Sequence, residues 1–256
     1  MRGKWEPLPE PFSGDFRYFL VVVWQHLQLP KPTPIQLDIS EYMQDGPKRR
    51  IIEAFRGVGK SWMAAAYVLW LLRNDPQKKI MVVSASKPRA DAFAQFCLRL
   101  IREMKILQCL DPDRDEQRSA SNRFDVRPSI PDQSPSVKSV GIFGQLTGSR
   151  ADLILADDVE VPNTAWTVGM REKLLHSVGE FNAILKPGGE ILFLGTPQTE
   201  ESIYNKLRTR SYECRIWPSR YPKKPEKYGD ALAPVILDRC IDRKNMPTDP
   251  DRFSEM

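Results

Sequence analysis

"IIEAFRGVGKSW", residues Ile51–Trp62, decides how this chain is read. The stretch starts as an apolar run, turns through Gly57 and Gly59, and ends on Lys60-Ser61. A loop that cradles phosphate needs successive backbone N–H groups around a concavity, a helix N-terminus behind them, and a lysine reaching the terminal phosphates. Ala54 opens the pattern where glycine is usual, a relaxed form of the motif. The expected binding set is Ala54, Phe55, Arg56, Gly57, Val58, Gly59, Lys60, Ser61 and Trp62. Lys60 is expected on the β- and γ-phosphates, the Ser61 hydroxyl on Mg²⁺, and Arg56 as extra positive charge suited to ATP.

The flanks have the periodicity this loop requires. "RRIIEAF" reads as a buried strand, and "WMAAAYVLWLL", apolar on nearly every side, reads as a helix ending at "NDP". "KKIMVVSAS" is a second buried strand. The helix after it opens at Pro88 and carries Phe93, Phe96, Cys97, Leu100, Ile101 and Met104 on one face. "SVKSVGIFG", "ADLILAD" and "EILFLGTPQ" are further strands, and "REKLLHSVGEFNAILKPGG" is expected to stay helical until Pro187-Gly188-Gly189 stops it. Apolar strands without strict alternation, separated by helices, predict an α/β fold with a mostly parallel sheet covered on both faces. The expected organisation is a lead-in and adenine-side segment over 1–40, a core over 41–203, and a proline-rich lid or linker subdomain over 204–256.

Composition narrows the class. The chain has 256 residues, 41% of them hydrophobic, which is enough for a core. Four cysteines with no CxxC pair and only two histidines argue against a zinc site or a disulfide framework. "YFLVVVW" (Tyr18–Trp24) is too short to span a bilayer, so a soluble cytoplasmic protein is expected, with no membrane partner. The formal net charge of +5 is mild and concentrates after residue 200.

A phosphate loop hydrolyses nothing alone. A carboxylate must hold Mg²⁺ and another must orient the attacking water. "LILADD" (Leu153–Asp158) ends an apolar strand with two acids: Asp157 is the expected metal group and Asp158 the first choice of catalytic base, with Glu160 its rival. "FLGTPQ" (Phe193–Gln198) brings Thr196 and Gln198 to another strand end, where either is placed to sense the γ-phosphate. Gln36, upstream of the loop, has an amide able to pair with adenine, and Arg150 is a candidate arginine finger, in cis or toward a neighbour.

Taken in order, "AFRGVGKS", "VSASKPRADA", "PDQSPSVKSVGIFGQLTGSRAD", "ILADDVE" and "FLGTPQTE" resemble the large terminase subunit of tailed bacteriophages, podovirus type, in its N-terminal ATPase half. The likeness runs from about Gly14 to Phe253. It implies a P-loop NTPase of the ASCE type that uses ATP and Mg²⁺ to translocate double-stranded DNA through a portal into a procapsid. It also implies a small terminase subunit as partner, a ring, usually pentameric, and a place in the host cytoplasm, transiently docked on the procapsid. Carried over, the metal acid falls on Asp157, the catalytic acid on Asp158, the coupling motif on Gly195-Thr196-Pro197 and the adenine reader on Gln36. Two departures matter: the catalytic acid is usually glutamate, which favours Glu160, and the family's finger arginine often stands nearer Leu146-Thr147, leaving Arg150 displaced. The family's nuclease domain is expected to be absent, and with it nuclease activity. Lys223, Lys224 and Lys227 are one candidate DNA contact, with a solvated linker the preferred reading. A helicase-like DNA-stimulated ATPase and a nucleotide-gated docking module with negligible turnover are the alternatives.

Overall fold

The computed structural model describes residues 5–199 and 201–243. Two N-terminal helices come first. α1 (Phe16–His26) starts where the Asp15 carboxylate accepts from the Arg17 N–H, and α2 (Pro34–Asp45) starts at a capping box made by Thr33 and Gln36 with Pro34 in its first turn. β1 (Arg49–Ala54) then runs into the loop and α3 (Lys60–Asn74), β2 (Ile80–Ser84) into α4 (Lys87–Glu103). The short β3 (Ser119–Ala120) and β4 (Arg123–Phe124) precede β5 (Val137–Gly141) and β6 (Ala151–Asp157). After α5 (Pro162–Ala165), α6 (Val168–Gly179) and α7 (Phe181–Ile184) come β7 (Leu185–Gly195), α8 (Ile203–Arg208), β8 (Glu213–Trp217) and α9 (Pro234–Arg243).

The strands form one sheet in the order β3-β4-β5-β2-β6-β7-β1-β8, parallel except where β4 meets β3 and β5. β7 therefore stands between the loop-bearing β1 and the acidic β6, and all three end on the same edge. Successive strand residues point to opposite faces: Ile52 belongs to the core under α1–α4, whereas Ile51 belongs to the core under α6–α8. This is the mostly parallel sheet, covered on both faces, that the sequence predicts. Among the described residues no helix is long and apolar enough to cross a membrane, and none of the four cysteines is in a disulfide.

One expectation is corrected. The helix expected to run to Pro187 ends at Ile184, and Pro187-Gly188-Gly189 lies inside β7. Leu185 and Glu190 oppose Ala151 and Leu153, so three extra residues bulge out, with Gly188 at φ 78°. Within the stretch expected as a lid or linker, β8 pairs in parallel with β1 from Arg50↔Glu213 to Ala54↔Trp217. Trp217 is fully buried and its Nε1–H donates to Asp38 Oδ2 at 2.6 Å, tying this edge to α2.

Candidate functional site

The loop after β1 bends as the glycines allow. Gly57 and Gly59 have φ of 92° and 86°, left-handed values that disfavour any residue with a Cβ. Gly59 is also the N-cap of α3, so the positive end of a fifteen-residue helix faces the loop. Buried Val58 anchors the loop, and its carbonyl accepts from Gln36 Nε2 at 2.9 Å. Lys60 is buried, and its ammonium donates to Ala54 O (2.8 Å), Phe55 O (3.2 Å) and Thr196 Oγ1 (3.1 Å). Burial pushes its pKa down, opposed by the charges of Asp158 and Asp157.

A crevice of about 710 Å³ opens over this loop, lined among others by Arg56, Lys60, Ser61, Arg89, Asp158 and Gln198. Asp157 ends β6 beneath it. Burial raises its carboxyl from 3.8 to about 6, against a hydrogen bond with Ser61 that lowers it. Its Oδ1 is buried and unpaired. An orphaned carboxylate oxygen beside a hydroxyl fits a divalent cation completed by phosphate and water oxygens. Asp158 is half-buried, held at φ 46° with its N–H donating to Leu194 O at 2.8 Å, and its carboxylate lines the crevice.

No family model matches the sequence. Over 252 residues the chain is 48% identical to the terminase large subunit of Enterobacteria phage T3, a span that takes in 94% of this chain and 43% of that protein. Over that stretch this chain is similar to a phage terminase large subunit. It spans less than half the length of that relative. Among solved structures, yeast Dbp5 in complex with Gle1 superposes with a TM-score of 0.52 at 11% identity, covering 84% of this chain and 53% of that one. The yeast DEAD-box splicing factor Prp28 gives 0.50 at 13% identity, over 82% of this chain and 51% of that one. At such identities the two structures speak to the fold alone, a mostly parallel sheet between helices.

With this terminase likeness in view, the placement of each expected residue is informative. Thr196 accepts from Lys60 and donates to Ala54 O at 2.9 Å, so the β7 end touches the phosphate loop directly. Arg56 is exposed and its Nη2 donates to Gln198 Oε1 at 3.0 Å. Gln198 Nε2 donates in turn to Thr196 O at 2.8 Å. Phe55 is buried, and Trp62, 45% exposed, lines the crevice edge-on to Trp24 with ring centroids 6.4 Å apart.

Three candidates stand differently from expectation. Glu160 is 1% exposed, and its oxygens accept from Gln198 N (2.9 Å), Ser202 Oγ (2.9 Å) and Ile203 N (2.7 Å). These bonds tie the β6 end to the start of α8, and Glu160 also lines the crevice. Gln36 is similarly engaged, with Oε1 accepting from Thr33 N at 2.9 Å and Nε2 on Val58 O. Arg150 is not among the residues that line the crevice of its own chain: it immediately precedes β6, seven residues or about 23 Å of strand from Asp157. There its side chain donates to Ala183 O. The guanidinium that does line the crevice, besides Arg56, is Arg89 in the first turn of α4, whose charge also lowers the Asp157 pKa. The sequence reading passed over Arg89. The rule that crevices form at the carboxyl ends of parallel strands would have found it, since β2 ends five residues earlier.

Proposed function

We propose that the chain is the ATPase part of a viral DNA-packaging motor, coupling ATP hydrolysis to translocation of double-stranded DNA into a procapsid. The observation that carries this reading is the 48% identity to a terminase large subunit across a stretch containing every wall of the crevice. On this reading the amides of the Arg56–Ser61 loop and the α3 N-terminus hold the ATP phosphates. Lys60 exchanges a carbonyl partner for a phosphate oxygen. Ser61 and Asp157 hold Mg²⁺, which when bound neutralises phosphate charge. Gln36 braces the loop from below, on the side where adenine is expected.

Asp158 orients the attacking water and accepts its hydrogen bond. The oxygen–phosphorus bond to the new phosphate forms as the bond to ADP breaks. Glu160 also lines the crevice, but its oxygens already accept three hydrogen bonds, and on this reading it positions rather than reacts. Loss of the γ-phosphate is felt by Lys60 and Arg56, which contact Thr196 and Gln198, and Glu160 links Gln198 to α8. The partners that follow are double-stranded DNA, a portal on the procapsid, a small terminase subunit and neighbouring copies in a ring, usually pentameric, docked transiently in the host cytoplasm. In such a ring we keep Arg150 as a candidate finger toward a neighbour.

The test is ATP turnover with duplex DNA and procapsids for wild type, Lys60→Ala and Asp158→Asn. Wild type is expected to turn over. Lys60→Ala loses binding, and Asp158→Asn binds ATP but loses rate by about 100-fold or more. Wild-type turnover in Asp158→Asn overturns the assignment of the base. Absence of turnover in wild type under all these conditions favours the docking module, and strand separation by the wild type favours a helicase.

A further inference from the structure

A second cavity, about 680 Å³, opens on the same edge of the sheet at the ends of β2 and β5. Its lining includes Lys87, Arg118, Arg123 and Lys138 and no aspartate or glutamate. Two of these cations are already neutralised within the chain. Arg118 clasps Asp125 through Nε (2.7 Å) and Nη2 (3.0 Å), and exposed Lys87 pairs with Asp91.

Among the described residues the other two have no acidic partner. Arg123 on β4 stands directly opposite Lys138 on β5 in the antiparallel register. Like charges facing each other across a strand pair are destabilising. Among the described residues the Lys138 ammonium donates to neutral acceptors, Ser149 Oγ at 3.2 Å and Gln145 O at 3.4 Å. Burial first, then the Arg123 charge, pulls its pKa down. The charge excess therefore calls for an anion from outside the chain.

The backbone supports the same reading. Ser86, the N-cap of α4, makes no side-chain cap, so its hydroxyl is not spent on the helix it precedes, and it lines this cavity. Gly141 at the end of β5 lies so close to that turn that a Cβ would stand 2.8 Å from Lys87 N. The α4 N-terminus and its positive dipole are thereby brought against the β5 end.

We infer that this cavity is a seat for phosphodiester groups of a nucleic-acid backbone, held by Arg123 and Lys138. The inference rests on the packaging reading for the identity of the polyanion, and it deepens that reading by placing DNA beside the nucleotide crevice. Recognition there is of charge and not of sequence, because the cations address phosphate. Phe143, the aromatic at its rim, has the Lys173 ammonium 4.6 Å above its ring.

The test is fluorescence anisotropy of a labelled duplex of arbitrary sequence between about 50 and 200 mM salt, the range where counterion release is steep. Arg123→Gln/Lys138→Gln is expected to lower affinity at least tenfold and to make the log–log salt slope shallower by about 1.8, two phosphate contacts at ~0.9 each. Binding of a fluorescent ATP analogue is expected to stay at the wild-type value. Arg123 is exposed, so Arg123→Gln alone, with about half the change in slope, serves if the double variant fails to fold. Wild-type affinity and slope in the variants overturn the seat while leaving the motor reading intact. A double variant that loses inorganic pyrophosphate binding but keeps duplex binding reassigns the cavity to a small anion and overturns it too. A wild-type chain that binds no duplex at any salt overturns both readings.

Discussion

Replacing Glu160 by glutamine separates a fastener from a catalyst. The Glu160 carboxylate accepts three hydrogen bonds at 2.7–2.9 Å, all from donors, while 1% exposed. In the Glu160→Gln variant one oxygen becomes an NH₂ group facing at least one N–H or O–H. At best that leaves two bonds to a neutral acceptor and one donor without a partner. A hydrogen bond to a charged group is worth about 1.5–3 kcal/mol and a neutral one about 1, and relief of charge burial returns part of the loss. The net cost is about 2–4 kcal/mol, which for a domain of this size lowers Tm by roughly 5–12 °C. The assay is thermal unfolding of the nucleotide-free chain, with ATP turnover of the same preparations measured below the transition. A Glu160→Gln variant that melts within about 1 °C of wild type yet hydrolyses no ATP refutes the argument and makes Glu160 the base.

Two further outcomes follow from the geometry. The Asp157 carboxyl is raised by burial from 3.8 to about 6, so its proton stabilises the metal-free fold fully below the lower value, and that stability is lost as pH rises through the upper one. Asp157→Asn in a chelator is therefore expected to melt above wild type near pH 8 and level with it near pH 4, and a gap independent of pH contradicts this. Gly195→Ala would place a Cβ 2.1 Å from the Tyr204 Oη, on a ring with no exposure, and is expected to cost about 1–3 kcal/mol or more, read as a Tm drop of several degrees. A Gly195→Ala protein with the wild-type Tm contradicts the packing described.

The parts of this fold that could be read in the sequence are those governed by local pattern. Val82 and Leu155 sit in continuous apolar runs, which is how strands buried on both faces look, and the loop glycines announce the turn they make. Pro187-Gly188-Gly189 misled because a helix breaker and a strand bulge use the same residues, and only pairing with Ala151 and Leu153 decides between them. β8 was hidden because an edge strand needs little apolar character: of Glu213–Trp217 only Trp217 is buried. The roles of Asp158 and Glu160 could not be separated from two positions in sequence, since the donors that immobilise Glu160 lie about forty residues on. For Arg150 the order along the strand is legible, which sets it at the opposite end of β6 from Asp157, but what its side chain meets is not.

The first turn of α4 has a mechanical consequence. Arg89 lines the nucleotide crevice and Lys87, two residues earlier, lines the anion-seeking cavity, so one helical turn is a wall common to both chambers. α4 is a rod of seventeen residues, about 25 Å long, packed along its buried face. A tilt of about 5° around its far end shifts that turn by roughly 2 Å, enough to break a hydrogen bond on either side. The spacing of two side chains on one turn thus makes this rod a lever with both loads at the same end.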